Sequence, residues 1–287
     1  MYFMSEKFVR FTSIDDIEMC GILFEPDKKT KKIVIHVHGL AGNFFENRFI
    51  SYLKDLFCAK GYSYVSFNNR GYGYFSDLLK GNSKTIKGGA AYEIFEECLF
   101  DIEGVLKYLS SLGYNEFILE GHSYGCNKVV YAYNILKDKY NITDIILLSP
   151  CDIYQEFHYV VKNYDAFLEK NAAYCKEGRE LEFIPSGLFP MEFTAKTVIN
   201  NFSNGVNSDI FRYRDSSYQS SLLKNISIPV HIIIGEKDEC VFTSDKNTIE
   251  KFLKSNIKRL DINYIANSKH IFKGQEKSLV AIMGELL

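Results

Sequence analysis

Phe117-Ile118-Leu119-Glu120-Gly121-His122-Ser123-Tyr124-Gly125 is a short apolar run that ends in a serine held between two glycines, and a helical pattern follows it. Gly-x-Ser-x-Gly between a strand and a helix is the sequence form of a nucleophile elbow. Such a turn is sharp, and the chain crowds itself on both sides of the serine. Gly121 and Gly125 remove the side chains that would clash. The Ser123 hydroxyl is then expected at the top of a sheet, with the N–H of Tyr124 directed where an oxyanion would form.

The elements around this stretch repeat one rhythm. Upstream, Ile33-Val34-Ile35-His36-Val37 is a nearly continuous β-branched run, as in a strand covered on both faces. It exits at His38-Gly39-Leu40-Ala41-Gly42. Tyr62 to Asn68 is a second strand, leaving through Asn69-Arg70-Gly71-Tyr72-Gly73. Between them Asn47 to Lys60 has helical spacing, with Phe49, Ile50, Leu53, Leu56 and Phe57 on one face. Glu93 to Leu112 is a longer helix with Ile94, Cys98, Ile102, Val105 and Leu109 on its stripe. Lys7 to Thr12 and Glu18 to Phe24 read as an antiparallel hairpin at a sheet edge. Downstream, Tyr124 to Lys139 is helical and Asp144 to Leu148 is a strand. This alternation predicts an α/β chain: a mostly parallel sheet with helices on both faces.

Pro150 interrupts the rhythm. From Cys151 to Lys224 no strand of this kind recurs, and helical pieces appear at Ile153 to Leu168 and Ala195 to Asn201. The stretch is too long for a structureless loop and reads as an inserted cap. The sheet then resumes with Val230 to Ile234, a helix from Thr243 to Lys254, a strand from Arg259 to Ile265, and a closing helix from Ile271 to Leu287. The expected organisation is a core of residues 1–150 and 225–287 with a cap, or lid, of residues 151–224.

A serine hydroxyl is a weak nucleophile at neutral pH and needs a base, which needs an orienting acid. Asp238 follows the strand ending at Ile234, and His270 follows the last strand. In a parallel sheet the carboxyl ends of strands share one edge, so Ser123, Asp238 and His270 are expected to converge there. Glu236 and Glu239 flank the acid, and Asp152, after an earlier strand, is a second candidate for it. The order Ser, Asp, His is that of α/β-hydrolases.

His38-Gly39, Asn69-Arg70-Gly71-Tyr72-Gly73, the elbow, Gly235-Glu236-Lys237-Asp238 and His270, taken in order over most of the chain, resemble the α/β-hydrolase superfamily. The resemblance implies an eight-stranded core, a cap after strand six and a Ser123–Asp238–His270 triad, with the Leu40 N–H joining that of Tyr124 as the oxyanion pair. A narrower similarity, to the serine-hydrolase branch that contains fungal siderophore esterases, rests on His38-Gly39-Leu40-Ala41-Gly42-Asn43 and Gly88-Gly89-Ala90-Ala91-Tyr92-Glu93; no substrate follows from it. The implied activity is hydrolysis of a carboxylic ester of a small or medium-sized substrate through an acyl-enzyme on Ser123. A thioesterase, an amidase or peptidase and an acyltransferase use the same triad, and a non-catalytic ligand-binding hydrolase fold is the alternative of another class.

Composition narrows the partners. At 287 residues, 46% hydrophobic and 24% charged, the chain has the make-up of a globular protein with a substantial core. A net charge of −2 gives no reason to expect nucleic acid or an anionic membrane. The expected partner is a small-molecule acyl substrate. Neither GxGxxG nor GxxxxGK[ST] occurs, so no cofactor is expected. The seven cysteines include no CxxC pair and no tight Cys/His cluster, so buried thiols, with neither disulfides nor a metal site, are the expectation. No apolar run is long enough to span a bilayer and the N-terminus lacks a signal-peptide plan, which points to the cytoplasm. Arg70 and His158 are candidates for substrate binding, against the plainer roles of loop brace and solvated helix face. His38 is expected to brace its loop, His36, His122 and His231 to be structural, and Cys126 to pack helix on sheet rather than react.

Overall fold

The structure, a computed structural model, describes residues 4–81, 84–186, 192–241 and 245–286. In chain order these form β1 (Met4–Thr12), β2 (Glu18–Pro26), β3 (Lys32–Val37), α1 (Phe49–Ala59), β4 (Ser63–Phe67), β5 (Ser76–Lys80), β6 (Lys84–Gly88), α2 (Cys98–Ser111), β7 (Glu116–His122), α3 (Tyr124–Leu136), β8 (Ile142–Leu148), α4 (Ile153–Val160), α5 (Tyr164–Lys176), α6 (Ala195–Phe202), α7 (Ser221–Lys224), β9 (Val230–Gly235), α8 (Lys246–Asn256), β10 (Leu260–Ile265) and α9 (Glu276–Leu286).

Eight strands make one sheet in the order β1-β2-β4-β3-β7-β8-β9-β10. β2 pairs antiparallel with β1 and with β4, and every other neighbour is parallel. The expected eight-stranded, mostly parallel sheet with an antiparallel edge hairpin is what forms. Side chains alternate across it. Ile33, Ile35 and Val37 join Val65, Leu119 and Ile145 under α2, α3 and α8. Val34 joins Tyr64, Ile118, Ile146 and Ile233 under α1 and α9. Both faces are therefore buried, which is why the strands read as continuous apolar runs. Among the described residues no helix is long and apolar enough to cross a membrane.

Several expected boundaries shift for local reasons. α2 starts at Cys98, five residues after Glu93, behind a short 3-10 turn at Phe95–Glu97. Glu93 is extended because its side chain runs inward to Lys128, and the Phe95 N–H is taken by Asn201 Oδ1 at 3.0 Å. The helical stretch expected around Ile153 to Leu168 forms as α4 and α5, separated where Val161 is extended and Asn163 has φ 53°. The closing helix begins at Glu276 because Phe272 and Gly274 have φ of 53° and 81° and turn the chain first. Thr243 and Leu287, outer ends of two expected helices, lie outside the described residues. The hairpin β5–β6 has no counterpart in the sequence reading. Its strands are short and mostly exposed, so they show no hydrophobic alternation.

Between β8 and β9, neighbours in the sheet, the chain makes α4 to α7. This excursion is tied down by specific bonds. The Thr194 N–H donates to Ala91 O at 3.0 Å, Asn201 Nδ2 to Glu93 O at 3.0 Å, and Asn127 Nδ2 of α3 to Ser208 O at 2.7 Å. Phe157 and Phe202 stack with centroids 3.6 Å apart, and Phe193 packs against both edge-on.

Lys128 Nζ of α3 lies 2.5 Å from Glu93 Oε1, with neither side chain exposed, and also donates to Asn69 Oδ1 at 3.3 Å. Removing one member leaves an unpaired buried charge. Lys128→Met is expected to lower unfolding stability by about 3–5 kcal/mol, and Lys128→Met with Glu93→Gln to recover much of that loss. Urea denaturation of the single and double variants reads the difference.

Candidate active site

Ser123 sits at the junction of β7 and α3 with φ 55° and ψ −127°. A non-glycine residue adopts such a backbone at a cost of about 1–3 kcal/mol, and only where its surroundings over-determine it. They do so here. A Cβ on Gly125 would lie 2.1 Å from Val37 O, so α3 leaves the turn pressed against the end of β3. The loop after β3 lies on the other side. A Cβ on Gly39 would stand 2.9 Å from Ser123 Cβ, so the backbone leading to Leu40 rests on the serine itself. Tyr124 is the first residue of α3, and its N–H is one of the donors a helix start leaves without an intrahelical partner. Ser123 remains partly exposed.

Asp238 and His270 meet as their strand positions imply. The His270 Nδ1–H donates to Asp238 Oδ1 at 2.9 Å and lies 3.1 Å from Oδ2. Asp238 is buried, and its Oδ1 also accepts from the N–H groups of Cys240 at 2.9 Å and Val241 at 3.0 Å. Burial pushes this carboxyl up, but the bond and charge of His270, with help from Ser149 and the Val241 N–H, outweigh it and hold it below its ordinary value. Burial likewise pushes the His270 imidazole down, while hydrogen bonding to Asp238 and Cys240 and the negative charge of both raise it to about 10. His122 fixes the base from below: its Nε2–H donates to the His270 carbonyl at 3.0 Å. Its own imidazole is held down at about 3, first by burial and then by the charge of His270.

Two thiols that the sequence reading did not single out complete the site. Cys151, just after β8, places Sγ 3.6 Å from Ser123 Oγ and 4.0 Å from His270 Nε2. The hydrogen-bond partner of the Ser123 hydroxyl is this thiol rather than the imidazole. Cys240, two residues after Asp238, faces both the Cys151 thiol and the imidazole; contact with Cys151 and then with His270 overcomes burial and lowers its thiol to about 5. The available signal was positional, since both cysteines follow strand ends on the edge that carries Ser123.

The remaining candidates separate cleanly. Asp152 is not placed as the acid: its Oδ1 caps α4 by accepting from Gln155 N at 3.0 Å, and its Oδ2 accepts from Tyr213 N at 2.9 Å. Glu239 accepts from the His270 N–H at 3.3 Å. The Arg70 guanidinium is buried and bonded to Asp15, Glu97 and Asp101, which leaves it a brace of its loop rather than an anchor for substrate. His158 lies on an exposed face of α4 near the rings of Tyr154 and Tyr164. His38 braces the loop of Leu40. Its Nδ1–H donates to Gly39 O at 2.9 Å and its Nε2 accepts from Asn69 N at 3.1 Å. Burial, then the charge of Lys128, keep it well below the ordinary histidine range. His36 is buried on Glu120 at 2.7 Å, and His231 lies 3.5 Å from Asp144. Cys126 is buried, donates to Gly121 O at 3.1 Å, and its thiol is pushed up by burial.

No family model matches the sequence, and no curated protein sequence does. Solved structures do resemble it. Est1E from Butyrivibrio proteoclasticus, determined with ferulic acid bound, is 17% identical, with a TM-score of 0.67 over 96% of each chain. The α/β hydrolase GrgF from Penicillium sp. sh18 is 14% identical, with a TM-score of 0.66 over 98% of this chain and 97% of that one. The esterase Pf2001 of Pyrococcus furiosus is 16% identical, with a TM-score of 0.61 over 98% of this chain and 89% of that one. Likeness at this level of identity shows a shared fold.

Because the folded value of His270 lies above its ordinary 6.5, the protonated ring adds stability below that pH and loses the contribution as pH climbs toward about 10. Cys240→Ser removes a thiol whose contact with His270 favours the imidazolium. The His270 ring titration, followed by NMR, is expected to move down by about 1–3 pH units. An unchanged midpoint means that Asp238 alone holds the proton.

Proposed function

We propose that this chain, which has the α/β-hydrolase fold, is a serine hydrolase that cleaves a carboxylic ester of a small or medium-sized substrate through an acyl-enzyme on Ser123. The reading is carried by one observation: a serine in a strained elbow, with a loop backbone resting on it, on the sheet edge where a buried aspartate orients a histidine. Each group then has a task. Ser123 Oγ attacks the carbonyl carbon and His270 Nε2 takes its proton in the fraction of molecules whose imidazole is neutral, so turnover is expected to rise with pH toward about 10. The N–H groups of Leu40 and Tyr124 hold the tetrahedral oxyanion, which is where such sites gain most of their rate. His270 returns the proton to the leaving alcohol, and water, deprotonated by the same nitrogen, releases the acid. Asp238 keeps the proton on Nδ1 and stabilises the imidazolium. The Ser123–His270 contact closes on substrate arrival, because catalytic hydrogen bonds are commonly long in ligand-free sites.

Residues 151–224 are the cap. The supporting argument is topological. β8 and β9 are adjacent parallel strands, and one crossover helix would join them. The excursion instead adds α4 to α7, starting at the edge that holds Ser123, and Cys151 at its root touches the serine. Substrate choice is assigned to this aromatic segment. That one structural neighbour is an esterase by name and another was solved with ferulic acid bound supports including a feruloyl ester among the substrates tried.

The test is a fluorophosphonate probe with mass-spectrometric location of the adduct, followed by matched ester, thioester and amide substrates. A stoichiometric adduct on Ser123 and turnover of the ester are expected. Ser123→Ala is expected to abolish both, and Asp238→Asn to lower kcat by ~10⁴-fold with little change in fold. A folded wild-type protein that neither labels nor hydrolyses any of the three substrates overturns the reading; turnover of the thioester or amide alone moves the assignment to that leaving group.

A further inference from the structure

The geometry points to a soft-metal site at the centre of this constellation, in which His270 Nε2, Cys151 Sγ and Cys240 Sγ take one zinc-class divalent cation and Ser123 Oγ closes the tetrahedron. The sequence predicts no metal site, because no two of these donors share a short motif. They come instead from the exits of β7, β8, β9 and β10, four consecutive strands of the sheet. Each exit delivers one donor to the same edge.

The distances suit a small tetrahedral ion. Zinc bonds of about 2.3 Å to sulfur and about 2.0–2.1 Å to nitrogen or oxygen set the edges of such a cage near about 3.5–3.8 Å. Cys151 Sγ stands 3.6 Å from Ser123 Oγ and 4.0 Å from His270 Nε2. Donor atoms of Cys240, His270 and Asp238 all lie within 4.8 Å of one another. Asp238 has the role of an outer partner: by holding Nδ1–H it aims the Nε2 lone pair outward, the usual carboxylate–histidine–metal arrangement. Two thiolates and an imidazole select a soft or borderline cation over magnesium or calcium. They also cancel its double charge, which a buried site requires. Binding expels the protons on Cys151 Sγ and His270 Nε2.

A cation held there occupies the nitrogen and the hydroxyl that hydrolysis needs. The site is therefore a reversible shut-off: soft metal closes it and chelation reopens it. This consequence rests on the serine-hydrolase reading, while the binding itself does not.

The experiment titrates the reduced, chelator-treated full chain with cobalt and cadmium, then displaces them with zinc. Expected are one equivalent bound, a tetrahedral cobalt spectrum and a thiolate-to-cadmium charge-transfer band. Cys151→Ser and Cys240→Ser are each expected to lower that band by about half, while Cys20→Ser and Cys175→Ser, at partly exposed thiols elsewhere, leave it intact. Wild-type stoichiometry and cobalt geometry decide the matter even where a variant fails to fold: no thiolate band at one equivalent overturns the site, as does a band undiminished in both Cys151→Ser and Cys240→Ser. Fluorophosphonate labelling runs in parallel. Labelling blocked by zinc and restored by chelator supports the shut-off, and labelling unchanged at saturating zinc overturns it. A two-thiolate band in protein that neither labels nor hydrolyses any of the three substrates supports the metal site and overturns the hydrolase reading.

Discussion

The backbone of Gly125 lies so close to the last carbonyls of β3 that no side chain fits between them, and the site depends on that contact. It pins the start of α3 to the neighbouring strand, leaves the turn from β7 no room to relax, and so keeps Ser123 in a conformation it would otherwise abandon. The loop after β3 begins at the same contact. Ser123 and the loop of Leu40 are thus positioned by one close approach of two backbones.

Around it, buried polar groups lock the loops. Lys128, paired with Glu93, reaches Asn69; the Asn69 N–H reaches His38; His38 holds the Gly39 carbonyl. These bonds link α3, the exit of β4, the lead into α2 and the exit of β3. Partly satisfied networks of this kind are costly in a low-dielectric interior, and satisfied ones fix a single arrangement. On the other side of Ser123, His122 ties the elbow to the carbonyl of His270. His270 and Ser123 are held to each other through backbone as well as through the intervening Cys151 thiol.

Much of this was legible in the residues. Strands buried on both faces announce themselves as apolar runs, and glycine-rich exits mark where they stop, so the sheet, the elbow and the meeting of Asp238 with His270 could be read directly. The part that could not be read depends on adjacency in space. Cys151 and Cys240 look like ordinary buried cysteines until β8, β9 and β10 stand side by side. Glu93 has helical spacing in sequence but is drawn out of the helix by Lys128. Asn163 lies between α4 and α5 although the apolar spacing continues through it, because one residue in the left-handed region leaves no trace in hydrophobic pattern. β5 and β6 form a two-stranded ribbon, bridged to Ile17 only through Lys80 among the described residues, and never bury a full face, so the signal that reveals the other strands is missing from them.

The sheet order also has a temporal side. Ser123, Leu40 and Tyr124 belong to strands that pair with one another inside the first half of the chain, whereas Asp238 and His270 ride on β9 and β10, the last two strands, with β10 on the outer edge. On a ribosome, Ser123 and the loop of Leu40 emerge with their neighbours before Asp238 and His270 exist. Until β9 and β10 dock, the edge that carries Ser123 lacks the Asp238–His270 pair, so the constellation forms only when those two strands join the sheet.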